Sequence, residues 1–203
     1  LLVEKGSGHV DLLAPHVEDT RWYLVRNVAL ILGEIGDDAA VSSLRSAIVH
    51  RDPRVRKEGA RAVSQCAGSN ARGLLAHALH DPDAGIRRWA ARTFAADTPA
   101  AAQAIRNIIE SEGFEERDLE EKIDFWEAYA YAARDRASSL LIRLLEEKKL
   151  WRPKHPEPVR AALCQALGIA GGPDARRTLE RLRNDRSRAI RAAAENALEK
   201  LTQ

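Results

Sequence analysis

Residues 52–63 read Asp52-Pro53-Arg54-Val55-Arg56-Lys57-Glu58-Gly59-Ala60-Arg61-Ala62-Val63, and this stretch decides the fold. Asp52 is a good helix N-cap, and Pro53 falls at the first helical position, where its missing N–H costs nothing. Val55, Gly59, Ala62, Val63 and Cys66 then return on one helical face. Just upstream, Ala40, Val41, Leu44, Ala47 and Ile48 form a second stripe of the same period, interrupted by Arg51 and Asp52. Two amphipathic helices joined by a short turn make a hairpin that cannot bury its apolar side alone, so it must stack on others.

The rest of the chain supplies those others. A β-branched residue followed by arginine recurs as Val25-Arg26, Val55-Arg56, Ile86-Arg87, Val159-Arg160 and Ile190-Arg191, with steps of 30, 31, 73 and 31 residues. The long step divides at Lys122 into 35 and 38. Hairpins are read over approximately 8–35, 37–67, 69–97, 98–135, 136–171 and 173–201, and alternating apolar runs that would signal strands are missing. Thr20, Asp52, Asp83, Asp118, Glu157 and Ser187 are the N-cap candidates of the second helices. The reading is one all-α domain over 1–203. The opening Leu1-Leu2-Val3-Glu4-Lys5-Gly6 looks like the tail of a helix, and the chain has no methionine, so a piece of a longer protein is expected.

The copies Asp52-Pro53-Arg54-Val55-Arg56, Asp81-Pro82-Asp83-Ala84-Gly85-Ile86-Arg87, Pro158-Val159-Arg160-Ala161-Ala162 and Ala189-Ile190-Arg191-Ala192-Ala193 resemble the HEAT repeat. The resemblance covers about residues 8–201 and implies a right-handed α-solenoid of about six hairpins. It also implies that Arg26, Arg56, Arg87, Arg160 and Arg191 bridge neighbouring hairpins through loop carboxylates. Asp19, Asp52, Asp81, Asp83 and Asp185 are the available partners. The arginine column is thus expected to be structural, and the family consists mostly of scaffolds with diverse partners.

Charge is balanced overall, with 32 Lys and Arg against 30 Asp and Glu, but it is striped. Net charge is −2 over 1–35, +3 over 36–97, −6 over 98–135 and +7 over 136–203. Cys66 and Cys164 lie at apolar helix positions with no metal-ligand spacing, which predicts buried free thiols. No apolar run approaches the ~18 residues needed to span a bilayer and no signal-peptide pattern opens the chain, so a cytoplasmic, bacterial-type protein without a membrane partner is expected.

Function is expected on a surface. Aligned on the arginine column, Lys57 and Arg88 share one position, Arg61 and Arg92 another, and Glu58 and Trp89 a third. Lys57, Arg61, Arg88, Trp89 and Arg92, with Arg54 at the edge, form a candidate partner-binding patch that Asp124 and Glu127 could instead neutralise. Such a patch suits a protein or acidic peptide, with a nucleic-acid backbone as the alternative. The helix containing Trp22, Tyr23, Leu24, Val28, Ile31 and Ile35 is apolar on more than one face, which suggests contact with a preceding repeat or a partner.

Two long loops carry opposite charge, one with Glu110, Glu112, Glu115 and Glu116, the other with Lys148, Lys149, Arg152 and Lys154. They are expected to be neighbours, with Trp151 in the second as a further partner-binding candidate. No glycine-rich phosphate loop, nucleophile elbow or paired-histidine metal motif is present, and the six histidines are dispersed. The expectation is a non-enzymatic module with no catalytic, cofactor-binding or metal residue and no small-molecule substrate. Bacterial alkylpurine DNA glycosylases, which are HEAT-like and use tryptophans with an aspartate, are the enzymatic alternative. Trp22, Trp89, Asp124 and Trp126 only superficially imitate their set.

Overall fold

The structure, a computed structural model, describes residues 9–66, 68–95, 99–149 and 152–201. These residues are almost entirely helical, and the chain divides into two compact units, Leu1–Phe94 and Ala95–Gln203.

In the first unit α1 (Val10–Leu13) runs into a 3-10 turn (Ala14–Glu18) and is followed by α2 (Trp22–Ile35), α3 (Ala40–Ile48), α4 (Pro53–Gln65), α5 (Ser69–Ala78) and α6 (Ala84–Phe94). Consecutive helices pair: the 3-10 turn packs on α2, α3 on α4 and α5 on α6. The second helices also stack, α2 on α4 and α4 on α6, so their side chains share one face. The core is aliphatic, with Val25, Leu32, Leu44, Val55, Val63 and Ile86 essentially inaccessible. Gly33 sets the α2–α4 distance, because a Cβ there would lie 2.6 Å from the Cα of Ala62. Gly36, at φ 67°, closes α2 in the left-handed conformation and donates its N–H to Leu32 O.

The second unit contains α7 (Pro99–Ile109), α8 (Leu119–Ala133), α9 (Ser138–Glu146), α10 (Glu157–Ala170), α11 (Gly172–Leu182) and α12 (Arg188–Lys200). α10 packs against both α8 and α12, around Phe125, Leu141, Leu163, Leu167, Leu179 and Ile190. Both cysteines are free and buried as expected, and burial pushes the Cys164 thiol up to about 11.

Three local expectations need correction. Thr20 is not the cap of α2; Arg21 stands there, and Asp19 accepts the Arg21 N–H at 2.8 Å. Glu157 lies inside α10 behind Pro156, whereas Asp52, Asp83, Asp118 and Ser187 do accept helix N–H groups. The basic loop holds a minimal antiparallel pairing of β1 (Lys148–Lys149) with β2 (Arg152–Pro153). Two-residue strands are too short to leave an alternating pattern.

Candidate interaction surface

The arginine column is the frame on which the surface rests. Arg56 donates from Nε and Nη2 to both carboxylate oxygens of Asp81, at 2.8 and 3.0 Å, across to the next hairpin. Its Nη1 also donates to His50 O and Arg51 O, closing its own loop. Asp81 Oδ1 additionally accepts the Asp83 N–H, so one buried carboxylate ties the turn and the junction together.

The second unit repeats the device. Arg160 donates to Asp185 at 2.9 Å, Asp185 accepts the Ser187 N–H, and Arg191 donates to Asp185 O and Arg186 O. Burial pushes Asp185 up, but the Ser187 N–H and Arg160 outweigh it and leave the carboxyl below its ordinary value. Arg87 closes its loop on Asp81 O and Pro82 O, and Lys122 does the corresponding work by donating to Glu115 O. Lysine at that position is therefore a substitute within the column.

Arg26 departs from the pattern. The place held by Asp81, six residues before the next arginine of the column, is His50 one hairpin earlier. His50 Nδ1 accepts the Asp52 N–H at 3.0 Å, so it keeps the turn, but it presents no carboxylate to Arg26. Arg26 turns instead to Glu58 on α4, at 3.3 Å, and its side chain is 43% exposed against 12% for Arg56. Asp19 and Asp52 likewise serve their own loops rather than the column: they hold Arg21 and Arg54 through paired side-chain and N–H bonds. Arg54 keeps the Asp52 carboxyl at about 2.

These departures build a cleft on the shared face of α2 and α4. About 460 Å³ in volume, it is lined by Trp22, Arg26, Arg54, Lys57, Glu58 and Arg61. The Arg54 guanidinium lies over the Trp22 ring, 3.4 Å from its centroid. Glu58 is buried, yet its Oε1 accepts no hydrogen bond from the described residues and Arg61 stands 4.0 Å away.

Of the sequence-predicted patch, Lys57 and Arg61 are exposed on α4, at this cleft. On the neighbouring α6, Arg92 is exposed while Arg88 and Trp89 are half-buried. Trp151 lies outside the described residues. Sequence reasoning missed Trp22, Arg26 and Glu58 as cleft residues; the signal was the histidine standing where the loops before Arg87 and Arg191 carry aspartate.

The two charged loops do meet, inside the second unit. Lys154 contacts Glu147 at 3.1 Å and Glu115 at 3.4 Å, and Arg143 pairs with Glu110. Glu147, helped by Glu115, raises the Lys154 ammonium against the opposing effect of burial. Trp126 is buried with its ring against Phe114, which leaves it unable to stack a base at the surface. The apolar α2 is mostly covered: Val25, Val28, Ala29 and Leu32 are buried, Leu24, Ile31 and Ile35 half-buried, and Tyr23 exposed. Among the described residues no helix is long and apolar enough to cross a membrane.

Comparison with known proteins agrees with this frame. Residues 10–95 match the family model for HEAT repeats. The chain is similar to the phycocyanin lyase complex of CpcE and CpcF from Nostoc sp., at 19% identity and a TM-score of 0.57, covering 96% of this chain and 77% of that one. It is also similar to an archaeal HEAT-like repeats protein from Thermococcus onnurineus, at 13% identity and a TM-score of 0.53, covering 99% and 91%. A designed armadillo repeat protein gives 16% identity and a TM-score of 0.52, covering 95% and 99%. A search of curated proteins finds no match. Residues 10–95 thus carry HEAT repeats by sequence, and the chain has the helical-repeat fold over nearly its whole length.

Proposed function

We propose that the chain is a non-catalytic protein-interaction module whose first unit docks a partner on the shared face of α2, α4 and α6. The observation that carries this reading is the cleft lined by Trp22, Arg26, Arg54, Lys57, Glu58 and Arg61, with exposed Arg92 on the neighbouring helix. Helix stacking fixes this face before any partner arrives, so docking costs little conformational entropy. The arginines that build the stack, Arg56 and Arg87, are engaged with backbone and carboxylate groups, and recognition falls to the columns beside them.

A photo-crosslinking residue placed at Arg61 or Arg92 should capture a protein partner in host extract, while the same group at Ser42, exposed on α3, should not. Arg88→Glu with Arg92→Glu should abolish that capture with helicity unchanged. Crosslinks confined to Ser42, or none at any position, overturn the proposal. The alternative, nucleic-acid binding, requires affinity that falls steeply with salt, because each phosphate contact releases counterions.

A further inference from the structure

The α2–α4 cleft has an unusual balance of groups. Arg54 is engaged by Asp52 and stacked on Trp22, so it acts as a wall. Arg26 holds one oxygen of Glu58. Lys57 is exposed and pairs with no carboxylate among the described residues, and Arg61 is 59% exposed at 4.0 Å from Glu58. The cleft thus offers cationic donors in excess of the single carboxylate at its base. That carboxylate has one buried oxygen, Glu58 Oε1, without a hydrogen bond.

A ligand that matches both features must bring anionic acceptors and, beside them, a donor. A phosphodiester backbone brings acceptors only, and laid into this cleft it would press against Glu58 and leave its oxygen unsatisfied, at a cost of about 1–3 kcal/mol or more. An extended peptide brings an N–H at every residue, and its acidic side chains add the carboxylates. The volume falls in the ~300–1,000 Å³ range of clefts that enclose part of a ligand.

Resting on the interaction reading above, we propose that this cleft seats an acidic peptide segment of the partner. Its side-chain carboxylates pair with Lys57 and Arg61, and one of its backbone N–H groups donates to Glu58 Oε1. Trp22, backed by Arg54, forms the flat wall against which the segment lies. Glu58 is the specificity residue: it admits acidic chains that carry N–H donors and rejects those that carry phosphates alone.

The test uses the full chain and three fluorescein-labelled probes of equal length: a mixed Asp/Glu peptide, its Asn/Gln counterpart, and oligo(dT). Fluorescence anisotropy at moderate salt should show the acidic peptide binding best. Lys57→Glu with Arg61→Glu should weaken it about tenfold or more with helical content unchanged by circular dichroism, since both side chains are exposed. Glu58→Gln should narrow the preference for peptide over oligo(dT) severalfold, a readout that a merely structural role would not move. Oligo(dT) binding as well as the acidic peptide, or peptide affinity indifferent to the double reversal, overturns the inference. If crosslinks at Arg61 and Arg92 still capture a protein in that case, the interaction reading stands and only the acidic segment is wrong.

Discussion

Arg26 and Arg56 occupy the same place in successive hairpins, yet one faces the cleft and the other is locked into a junction. Arg56 finds Asp81 in the following loop, is largely buried, and donates through three of its nitrogens. Arg26 finds His50 at the corresponding place, pairs with Glu58, and stays 43% exposed. Each arginine stands on the second helix of its hairpin, α2 or α4. Among the described residues Arg26 has neither attachment that consumes Arg56, the carboxylate in the following loop and the carbonyls of its own loop, and it is released to the surface. A repeat protein can therefore create a binding position without adding a residue, by withdrawing the partner that would have occupied an existing one.

The junction side of the comparison is broken most directly by Asp81→Ala. The substitution leaves the Arg56 guanidinium partly buried without its counter-charge and removes the acceptor of the Asp83 N–H. Removing one partner of a buried pair costs about 3–5 kcal/mol, and the retained bonds to His50 O and Arg51 O place the expected loss toward the lower end. Urea denaturation followed by circular dichroism measures it. A midpoint close to wild type would mean that the clasp does not hold the junction.

The second unit tests whether the clasp is general. Asp185→Asn should destabilise by about 2 kcal/mol near neutral pH, through loss of a hydrogen bond to a charged group. Because the folded carboxyl lies below its ordinary value, its contribution is complete above the unfolded pKa of ~3.9 and fades as pH falls through the folded value. The gap in thermal midpoint between wild type and Asp185→Asn should therefore be constant from neutral pH down to about 5 and close below about 4. A gap that persists unchanged in acid would assign the effect to packing rather than charge.

Much of this frame was legible in the chain, because it depends on periodicity. The stripes around Val55 and Val63 and the arginine column specify helix pairs wherever they recur, and Lys122 proved to belong to that column. The partners of the column were only half legible. Asp81 and Asp185 took the expected role, but Asp19 and Asp52, equally plausible by position, fold back onto Arg21 and Arg54. A side chain two residues from an N–H is a nearer competitor than a guanidinium one hairpin away, and spacing alone does not rank the two. The cleft was least legible. It joins residues of two helices, Trp22 and Arg26 with Lys57, Glu58 and Arg61, that no sequence spacing brings together. Column alignment puts Lys57 and Arg61 on one exposed face, as the structure has them, because both lie a fixed distance from the ruler, whereas Trp22 precedes it and belongs by pattern to the apolar helix expected to meet a preceding repeat or a partner.

The smallest expected effect is also the sharpest test of the comparison, because it asks the first junction to behave like the second. His50→Asp restores a carboxylate at the place Asp81 holds, and it retains an acceptor for the Asp52 N–H. Arg26 then has two competing carboxylates. Glu58 lies across on α4 and leaves Arg26 half-exposed, whereas the introduced group would stand where Arg56 finds its own bidentate partner. If geometry transfers between hairpins, Arg26 swings to the loop and the protein gains about 1 kcal/mol, a net value set by one charge-assisted hydrogen bond less the entropy of fixing a longer side chain. Glu58 would at the same time lose its nearest cation, so affinity for an acidic probe should fall although no cleft residue has been altered. Thermal denaturation and anisotropy on the same variant read both consequences. A stability gain with weaker binding ties fold and surface to a single loop position; a stability loss would show that the first junction differs from the second in more than its missing carboxylate.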